Sequence, residues 1–333
     1  MEAMKFFGFL NCHKPPGMTS RDLVNLGTGA IRKSYRERLA VVVSDTDGSP
    51  EQSDAPTPRR KPPKVGHAGT LDPLAEGVLV MGVGPAAKLT SYLQLASKQY
   101  QAHFVLGQRS ESGDLEQPVQ TIDDAPIPTL DELQSAARQL TGRIRQVPPS
   151  HSAIKINGRR AYKMARKGVE VPMPARAVDI HELTIQRYEY PNVWLDICCG
   201  SGTYIRTLGM DLARRCGTES VMHHLVRTRV GQFELADAMS VQQIREGRCM
   251  SLLRPANEGL AHLTTLHLDD EQTWRITNGL SLHVSRTRTT AAGDKEVRDA
   301  AAIDPSGDVC AIAQRRSDHW RPTRVFHKRL FTL

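Results

Sequence analysis

Residues 66 to 79 read GHAGTLDPLAEGVL, and this stretch places Asp72 among glycines, a proline and aliphatic side chains. The two glycines before Asp72 permit backbone angles or close approaches that other residues rarely adopt. Pro73 fixes its own φ angle and disfavours the helical region for Asp72. The stretch therefore predicts that Asp72 lies on a rigid loop, just before a helix that begins near Leu74.

Two interpretations of Asp72 follow from these residues alone. As a catalytic carboxylate, it would be held in place by the rigid loop. As a helix cap, it would accept a hydrogen bond from the first turn, as an aspartate before an apolar run often does. Capping explains the aspartate but not the glycines and His67 before it, so the motif by itself leaves both interpretations open.

Further segments stand before and after this stretch. They are GFLN (8–11) with KPPGMTS (14–20), KQY (98–100) leading through LG (106–107) to Asp114, QVPPSHSAIK (146–155) with GRRAY (158–162), and GSGTYIRTL (200–208) ahead of LVRTRVG (225–231). In this order, and together with residues 66–79, they resemble the TruB family of tRNA pseudouridine synthases. The matches cover most of residues 8–235. So many segments in the same order would not arise by chance.

The resemblance implies an α+β fold, the pseudouridine synthase fold. Its parts are a mixed, largely antiparallel central sheet with flanking helices and a catalytic cleft, and a small C-terminal PUA-like β-barrel. It also implies the activity, isomerisation of uridine to pseudouridine at position 55 in the T loop of tRNA. The uridine would be flipped out of the loop before its glycosidic bond is cleaved and uracil rejoined through carbon 5. No redox change occurs, so we expect no cofactor.

The same resemblance implies roles for individual residues. Asp72 is the nucleophile, Arg206 is the arginine that pairs with it, and Tyr100 stacks on the target base and accepts a proton. The implied substrate-binding residues are His67 in the stacking position that the flipped base vacates, Tyr204 against the target nucleotide, and Leu225 in the pocket wall. The order of the chemical steps stays open.

Elementary electrostatics gives Arg206 a purpose beside Asp72. A buried carboxylate takes up a proton unless a cation keeps it ionised, and a bidentate guanidinium would lower the pKa of Asp72 and fix its rotamer. Without the resemblance, other interpretations stay open: an ordinary helix start for residues 204–206, core packing for Tyr100 and Leu225, and a structural role for His67.

Basic side chains near these segments are candidate phosphate contacts, and the sequence decides none of them individually. They are Lys14, Lys155, Arg159, Arg160 and Lys163.

Charge and composition limit the class of protein. Lys and Arg total 44 against 36 Asp and Glu, a net charge of +8. This excess favours a polyanionic partner, which with the resemblance is the T arm of tRNA; a generically basic protein is the alternative. No apolar run of about 18 residues occurs, so we expect no membrane span and a cytoplasmic location. We further expect a monomer without an obligatory protein partner.

Metal chemistry has little support in the sequence. The six cysteines include no C-x-x-C pair and are typical of reduced, buried thiols. No H-E-x-x-H motif occurs among the 12 histidines. We therefore expect no metal site.

A chain of 333 residues is long for one domain and suggests two. We predict a catalytic domain over residues 1–260 and a PUA-like RNA-binding domain over residues 266–333. Residues 44–63 hold one alanine and no larger aliphatic, which predicts a disordered insertion. Alternating or branched apolar residues predict strands at 101–106, 193–198, 282–284 and 309–313, and helical spacing predicts helices at 130–140 and 204–215.

Two departures from the family pattern stand near the site. His13 replaces a common aspartate before Lys14, and Glu76 replaces a small or hydroxylated residue. Neither touches the proposed nucleophile. Two rival functions also remain: an RNA-binding protein without catalysis, and a guide-RNA-dependent synthase that needs protein partners.

Overall fold

A computed structural model describes residues 5–46, 61–149, 155–156, 159–160, 173–290 and 298–327. The strands are β1 (Gly8–Lys14), β2 (Val65–His67), β3 (Glu76–Val83), β4 (Lys98–Leu106), β5 (Gln108–Arg109), β6 (Gln120–Thr121), β7 (Gly142–Gln146), β8 (Lys155–Ile156), β9 (Arg159–Arg160), β10 (Arg176–Glu189), β11 (Asn192–Cys199), β12 (Ser220–Val230), β13 (Phe233–Glu234), β14 (Thr264–His267), β15 (Leu282–His283), β16 (Arg288–Thr290), β17 (Asp299–Ile303), β18 (Val309–Arg316) and β19 (His319–Val325). The α-helices are α1 (Ser20–Thr46), α2 (Thr90–Leu93), α3 (Leu130–Gln139), α4 (Ile205–Arg215), α5 (Val241–Arg245) and α6 (Asp270–Thr277).

A nine-stranded sheet forms the centre of the molecule, with the order β1-β3-β12-β4-β11-β10-β7; β2 pairs with β3, and β13 with β12. All neighbours are antiparallel except β3 and β12, which are parallel. This confirms the predicted mixed, largely antiparallel sheet. The parallel pair matters for function, because β3 follows Asp72 directly and lies beside β12.

The central strand β4 has one buried face and one open face. Tyr100, Ala102 and Phe104 are buried, whereas Gln99 and Gln101 between them are exposed. Helices α3 and α4 cover the buried face and contribute to the same apolar cluster with Leu133, Ala136, Ala137, Ile205, Leu208 and Leu212. Each fully buried leucine stabilises the fold by roughly 1.5–3 kcal/mol, so packing holds these short helices in place.

Several local predictions are confirmed. The strands predicted at 101–106 and 193–198 are parts of β4 and β11, and the two predicted helices are α3 and α4. A capping box begins α3: the Thr129 side chain accepts from the amide of Glu132, and the Glu132 side chain accepts from the amide of Thr129.

A second sheet of six strands follows, in the order β15-β19-β18-β17-β14-β16, with its own apolar cluster. It agrees with the predicted PUA-like domain, while the exact domain limits stay a prediction. The two sheets share a further cluster, in which the rings of Phe7 and Phe326 lie 5.3 Å apart. The C-terminal sheet therefore packs firmly on the first.

One prediction near the motif was wrong, and a second differs from the structure at its first three residues. No helix begins at Leu74; strand β3 begins instead at Glu76, because β-branched Val recurs among the residues that follow. Residues 44–46, expected in the disordered insertion, form the end of α1, and residues 47–60 lie outside the described residues. None of the helices in the described ranges is long and apolar enough to cross a membrane.

Candidate active site

In the described residues 61–83, strand β3 and not a helix follows Asp72. Asp72 is therefore not a helix cap. Asp72 lies on a tight loop in which the amide of Ala75 donates to its carbonyl at 3.2 Å. The aspartate therefore needs another reason for its position, and its surroundings supply one.

The loop at residues 14–20 clamps the backbone on both sides of Asp72. The buried hydroxyl of Ser20 donates to the carbonyl of Leu71 and accepts from its amide, both at 2.9 Å. On the other side, the amide of Gly17 donates to the carbonyl of Pro73 at 2.9 Å. The two sequence motifs thus form one structural unit, which fixes the backbone of Asp72.

Lys14 completes this clamp from inside the protein. Its Nζ donates to the carbonyls of Pro15, Met18 and Pro73 at 3.0, 2.6 and 3.1 Å, and the residue is fully buried. Burial lowers the pKa of Lys14 to about 8, although the negative charge of Asp72 acts in the opposite direction. The expectation that Lys14 contacts phosphate is wrong for this structure, because its ammonium has no accessible surface.

Two glycines of the motif are required by geometry. Gly69 has φ +100° and Gly77 has φ +110°. Residues with a Cβ rarely adopt this region of backbone angles. A Cβ on Gly77 would also lie 2.2 Å from the carbonyl oxygen of Arg227 on β12. The start of β3 can therefore approach β12 closely only with glycine at this position.

Arg206, in the first turn of α4, joins two carboxylates. Its Nε lies 3.1 Å from Oδ2 of Asp72, and its NH1 lies 3.1 Å from Oδ2 of Asp114. NH1 also donates to the carbonyl of Ser112 at 2.8 Å. The structure thus brings the two predicted partners together, and the guanidinium is shared with a second acid rather than devoted to Asp72.

Asp114 ends one of the sequence motifs, and the sequence indicated no role for it. The residue is 1% exposed. Its Oδ1 accepts from the hydroxyl of Ser112 at 2.5 Å and from the amide of Glu116 at 3.0 Å. A lone acid at the end of a mostly polar loop carries little sequence signal, since only the fold shows that it is buried against Arg206.

The pKa of Asp72 is raised, not lowered as expected. Burial raises it most, the nearby Arg206 lowers it, and the negative charge of Asp114 raises it again. The side chain keeps 38% of its surface open, so it is reached from solvent while protein surrounds its other sides. Arg206 lowers the pKa of Asp72 as predicted, but burial raises that pKa by more.

Tyr100 and Leu225 belong to the apolar core next to the Asp72 loop. Both are buried in the same apolar cluster as Leu71, the residue before the aspartate. Burial raises the pKa of Tyr100, and Arg227 lowers it as a charge and as a hydrogen-bond donor. The apolar cluster thus brings one hydroxyl, that of Tyr100, near Asp72.

Tyr204 is fixed by a residue that the sequence did not single out. The side-chain amide of Gln146 accepts from the amide of Tyr204 at 2.8 Å and donates to its carbonyl at 3.0 Å. The guanidinium of Arg176 lies 5.0 Å from the centre of the Tyr204 ring, close enough for a cation–π contact. Tyr204 is therefore held in place, partly exposed, two residues before Arg206.

His67 ends strand β2 and is half-buried. Burial lowers its pKa, so the neutral ring is favoured. The backbones of Lys155, Arg159 and Arg160 form the short strands β8 and β9, but their side chains lie outside the described part, as does Lys163.

Solved structures share this architecture. A Cbf5-Nop10-Gar1 complex aligns with a TM-score of 0.69 at 20% identity, covering 98% of this chain and 87% of that chain. An H/ACA RNP bound to a substrate RNA containing 2'-deoxyuridine aligns with a TM-score of 0.63 at 19% identity, covering 98% of this chain and 87% of that chain. At this identity the likeness concerns the fold, which is the pseudouridine synthase fold.

Sequence comparison narrows this class. Residues 59–205 match the N-terminal domain of the TruB family of pseudouridylate synthases. A tRNA pseudouridine synthase B of Moorella thermoacetica is 40% identical over 83% of this chain and 83% of its own length. A second, of Rhodopirellula baltica, is 36% identical over 96% of this chain and 94% of its own length. The chain belongs to the TruB family.

Proposed function

We propose that this protein isomerises uridine to pseudouridine in tRNA, with Asp72 as the carboxylate that acts on the flipped nucleotide. The Asp72–Arg206 pair carries the proposal. A carboxylate that is reached from the cleft, braced on both sides and aimed by a buried guanidinium is arranged for a reaction on a bound ligand rather than for folding stability.

The residues around Asp72 divide the work of this reaction. Arg206 favours the ionised form of Asp72, which the burial of the site disfavours, so that the carboxylate can act as a nucleophile or stabilise positive charge on the ribose. Tyr100 and Leu225 line the space beside it and exclude water from one side. The Tyr100 hydroxyl is the group placed to move a proton once the base has been repositioned.

The position within tRNA is also part of the proposal. The uridine of the T loop at position 55 agrees with the family, and His67 is the proposed residue for the stacking position left by the flipped base. We further propose that the protein acts as a monomer in the cytoplasm without an obligatory protein partner. The similar Cbf5 complex contains Nop10 and Gar1. The need for protein partners therefore distinguishes a synthase that acts alone from one that acts in a complex.

An in vitro assay tests the proposed function. The purified full chain is incubated with an unmodified tRNA transcript and no other protein, and pseudouridine is mapped by carbodiimide treatment and primer extension. We expect a single stop in the T loop. A stop elsewhere would overturn the position, and no stop at all would overturn the activity.

A matched pair of variants connects the activity to Asp72. Asp72→Asn should abolish the product while tRNA binding stays within severalfold, because phosphates and shape dominate binding. Asp123→Asn changes the same chemical group at an exposed turn and should retain full activity. Substantial turnover by Asp72→Asn would contradict the assignment, and tRNA binding without product in the unaltered protein would favour an RNA-binding function.

A further inference from the structure

Arg227 is a buried arginine at the centre of the site for which the sequence suggested no role. It is 2% exposed. In register it lies opposite Tyr100 of β4 on one side and opposite Gly77 of β3 on the other. One residue therefore stands between the strand that carries the tyrosine and the strand that follows Asp72.

The Arg227 side chain ties these parts together. Its Nε donates to the carbonyl of Val78 at 2.7 Å, and its NH2 donates to the carbonyl of Gly69 at 3.1 Å. Gly69 is the glycine of the Asp72 loop whose positive φ turns the chain. The guanidinium thus holds the start of the Asp72 loop against β3.

Across the described part of the chain, Arg227 forms no ion pair with a carboxylate. A buried charge without an opposite charge is costly, and neutral side chains could fill the same space. A guanidinium donates hydrogen bonds and accepts none, so the Tyr100 hydroxyl can meet it only through its oxygen.

We propose that Arg227 is a positioning residue that acts through Tyr100, fixing the direction of its hydroxyl while holding the loop that carries Asp72. This inference rests on the proposed function for its catalytic meaning, but the position of Arg227 opposite Tyr100 does not. The charge of Arg227 also acts on Lys14, His67 and Lys98, lowering the pKa of each. It therefore favours the ionised form of Tyr100 during proton transfer, against the effect of burial.

Single-turnover kinetics provide the first test. Tritium release from tRNA labelled at carbon 5 of uridine is measured for Arg227→Gln, Arg227→Lys, Tyr100→Phe and the double variant Arg227→Gln/Tyr100→Phe. We expect Arg227→Gln to slow the reaction at least about tenfold, with tRNA affinity within severalfold. The loss should be much smaller when Tyr100 is already Phe, and Arg227→Lys should recover part of the rate because it keeps the charge.

Arg229→Gln is the matched control on the same strand. Arg229 pairs with Glu234 at 3.3 Å and is 38% exposed, so it cannot act on Tyr100 from inside the site. This variant should leave the single-turnover rate unchanged. Thermal unfolding of every variant separates loss of the fold from loss of the rate, and if Arg227→Gln does not fold, Arg227→Lys carries the comparison.

A second test needs no tRNA. A fluorotyrosine, whose hydroxyl ionises more readily than that of tyrosine, is incorporated at position 100 and titrated by fluorine NMR. Its ionisation should move to higher pH in Arg227→Gln and not in Arg229→Gln. An unchanged titration, or additive losses in the double variant, would show that Arg227 is structural and overturn the inference. If the unaltered protein makes no pseudouridine but the shift is present, the proposed function fails and the Arg227–Tyr100 interaction stands.

Discussion

Ser20 and Leu71 exchange two hydrogen bonds, since one buried hydroxyl donates to the carbonyl and accepts from the amide, both at 2.9 Å. The two residues are 51 positions apart in the chain. This contact joins the start of α1 to the residue before Asp72. The position of Asp72 therefore depends on a serine that need not touch the substrate.

The first prediction concerns Ser20. Ser20→Ala leaves the Leu71 amide and carbonyl without their buried partner, which should destabilise the protein by about 1–3 kcal/mol. Because the Asp72 loop loosens, the single-turnover rate should also fall while tRNA affinity is kept. Denaturant unfolding and tritium release measure the two effects. Thr28→Ala is the control, because the Thr28 hydroxyl donates to the carbonyl of Val24 within α1 and does not contact the loop; an equal rate loss in both variants would contradict the role of Ser20.

The second prediction concerns the shared arginine. Arg206→Lys should lower activity by about 100-fold or more, because an ammonium is a point charge and cannot aim two carboxylates as the planar guanidinium does. Circular dichroism and tRNA binding should be nearly unchanged. Full activity of Arg206→Lys would show that charge alone is sufficient at this position.

The third prediction follows from Asp114, which raises the pKa of Asp72. Asp114→Asn removes that negative charge, so the pKa of Asp72 should fall and the acidic limb of the pH–rate profile should move to lower pH. The maximal rate should also fall, because Arg206 loses one of its anchors. Glu111→Gln, an exposed acid on the same loop, should leave the profile unchanged. A shift of the limb to higher pH in Asp114→Asn would refute the assignment of that limb to Asp72.

The fourth prediction is a pH-dependent gain in stability for Asp72→Asn. The folded protein raises the pKa of Asp72, so the ionised carboxylate is less favourable in the folded than in the unfolded state. That cost is fully present above the folded pKa and disappears below the unfolded pKa. Asp72→Asn should therefore melt at a higher temperature than the unaltered protein near neutral pH, and the difference should vanish in acid. A variant that melts lower at neutral pH would show that the Arg206 contact outweighs burial.

The local sequence pattern predicted several helices and strands correctly and one element incorrectly. Strands β4 and β11 and helices α3 and α4 were predicted because their side chains alternate or recur at helical spacing. The residues after Leu74 were assigned to a helix because an apolar run fits both periods. Pairing of β3 with β1 and β12 decides between them, and that pairing is a property of distant sequence.

The site was predictable only where the motif itself carried the chemistry. Asp72 and Arg206 were predicted to be partners and lie 3.1 Å apart, while their catalytic roles stay predictions. Lys14 was expected on the surface, since a lysine in a loop usually is solvated, and only tertiary structure shows its ammonium enclosed by three carbonyls. Asp114 and Arg227 belong to sequence motifs that indicated no role for them, because their partners lie in other segments of the chain.

The last prediction concerns the C-terminal sheet, where Arg321 and Arg324 of β19 are exposed. Deleting residues from 266 onward would expose the cluster that joins Phe7 to Phe326, so full-length variants are the sharper test. Arg321→Gln with Arg324→Gln should weaken tRNA binding. The slope of log affinity against log salt concentration should become less negative by about 1 for each phosphate that is no longer neutralised. The single-turnover rate on a T-arm stem-loop should stay unchanged, because these arginines bind the RNA backbone rather than the reacting base.

The control for this variant is Arg32→Gln with Arg36→Gln, which removes the same charge from exposed positions of α1. Binding across a salt series is measured for both double variants on whole tRNA and on the stem-loop. Equal weakening in the two would mean that net charge, not the C-terminal sheet, determines affinity. A slower chemical step on the stem-loop in Arg321→Gln/Arg324→Gln would contradict the division into a catalytic domain and an RNA-binding domain, because the change would then reach Asp72 from the far sheet.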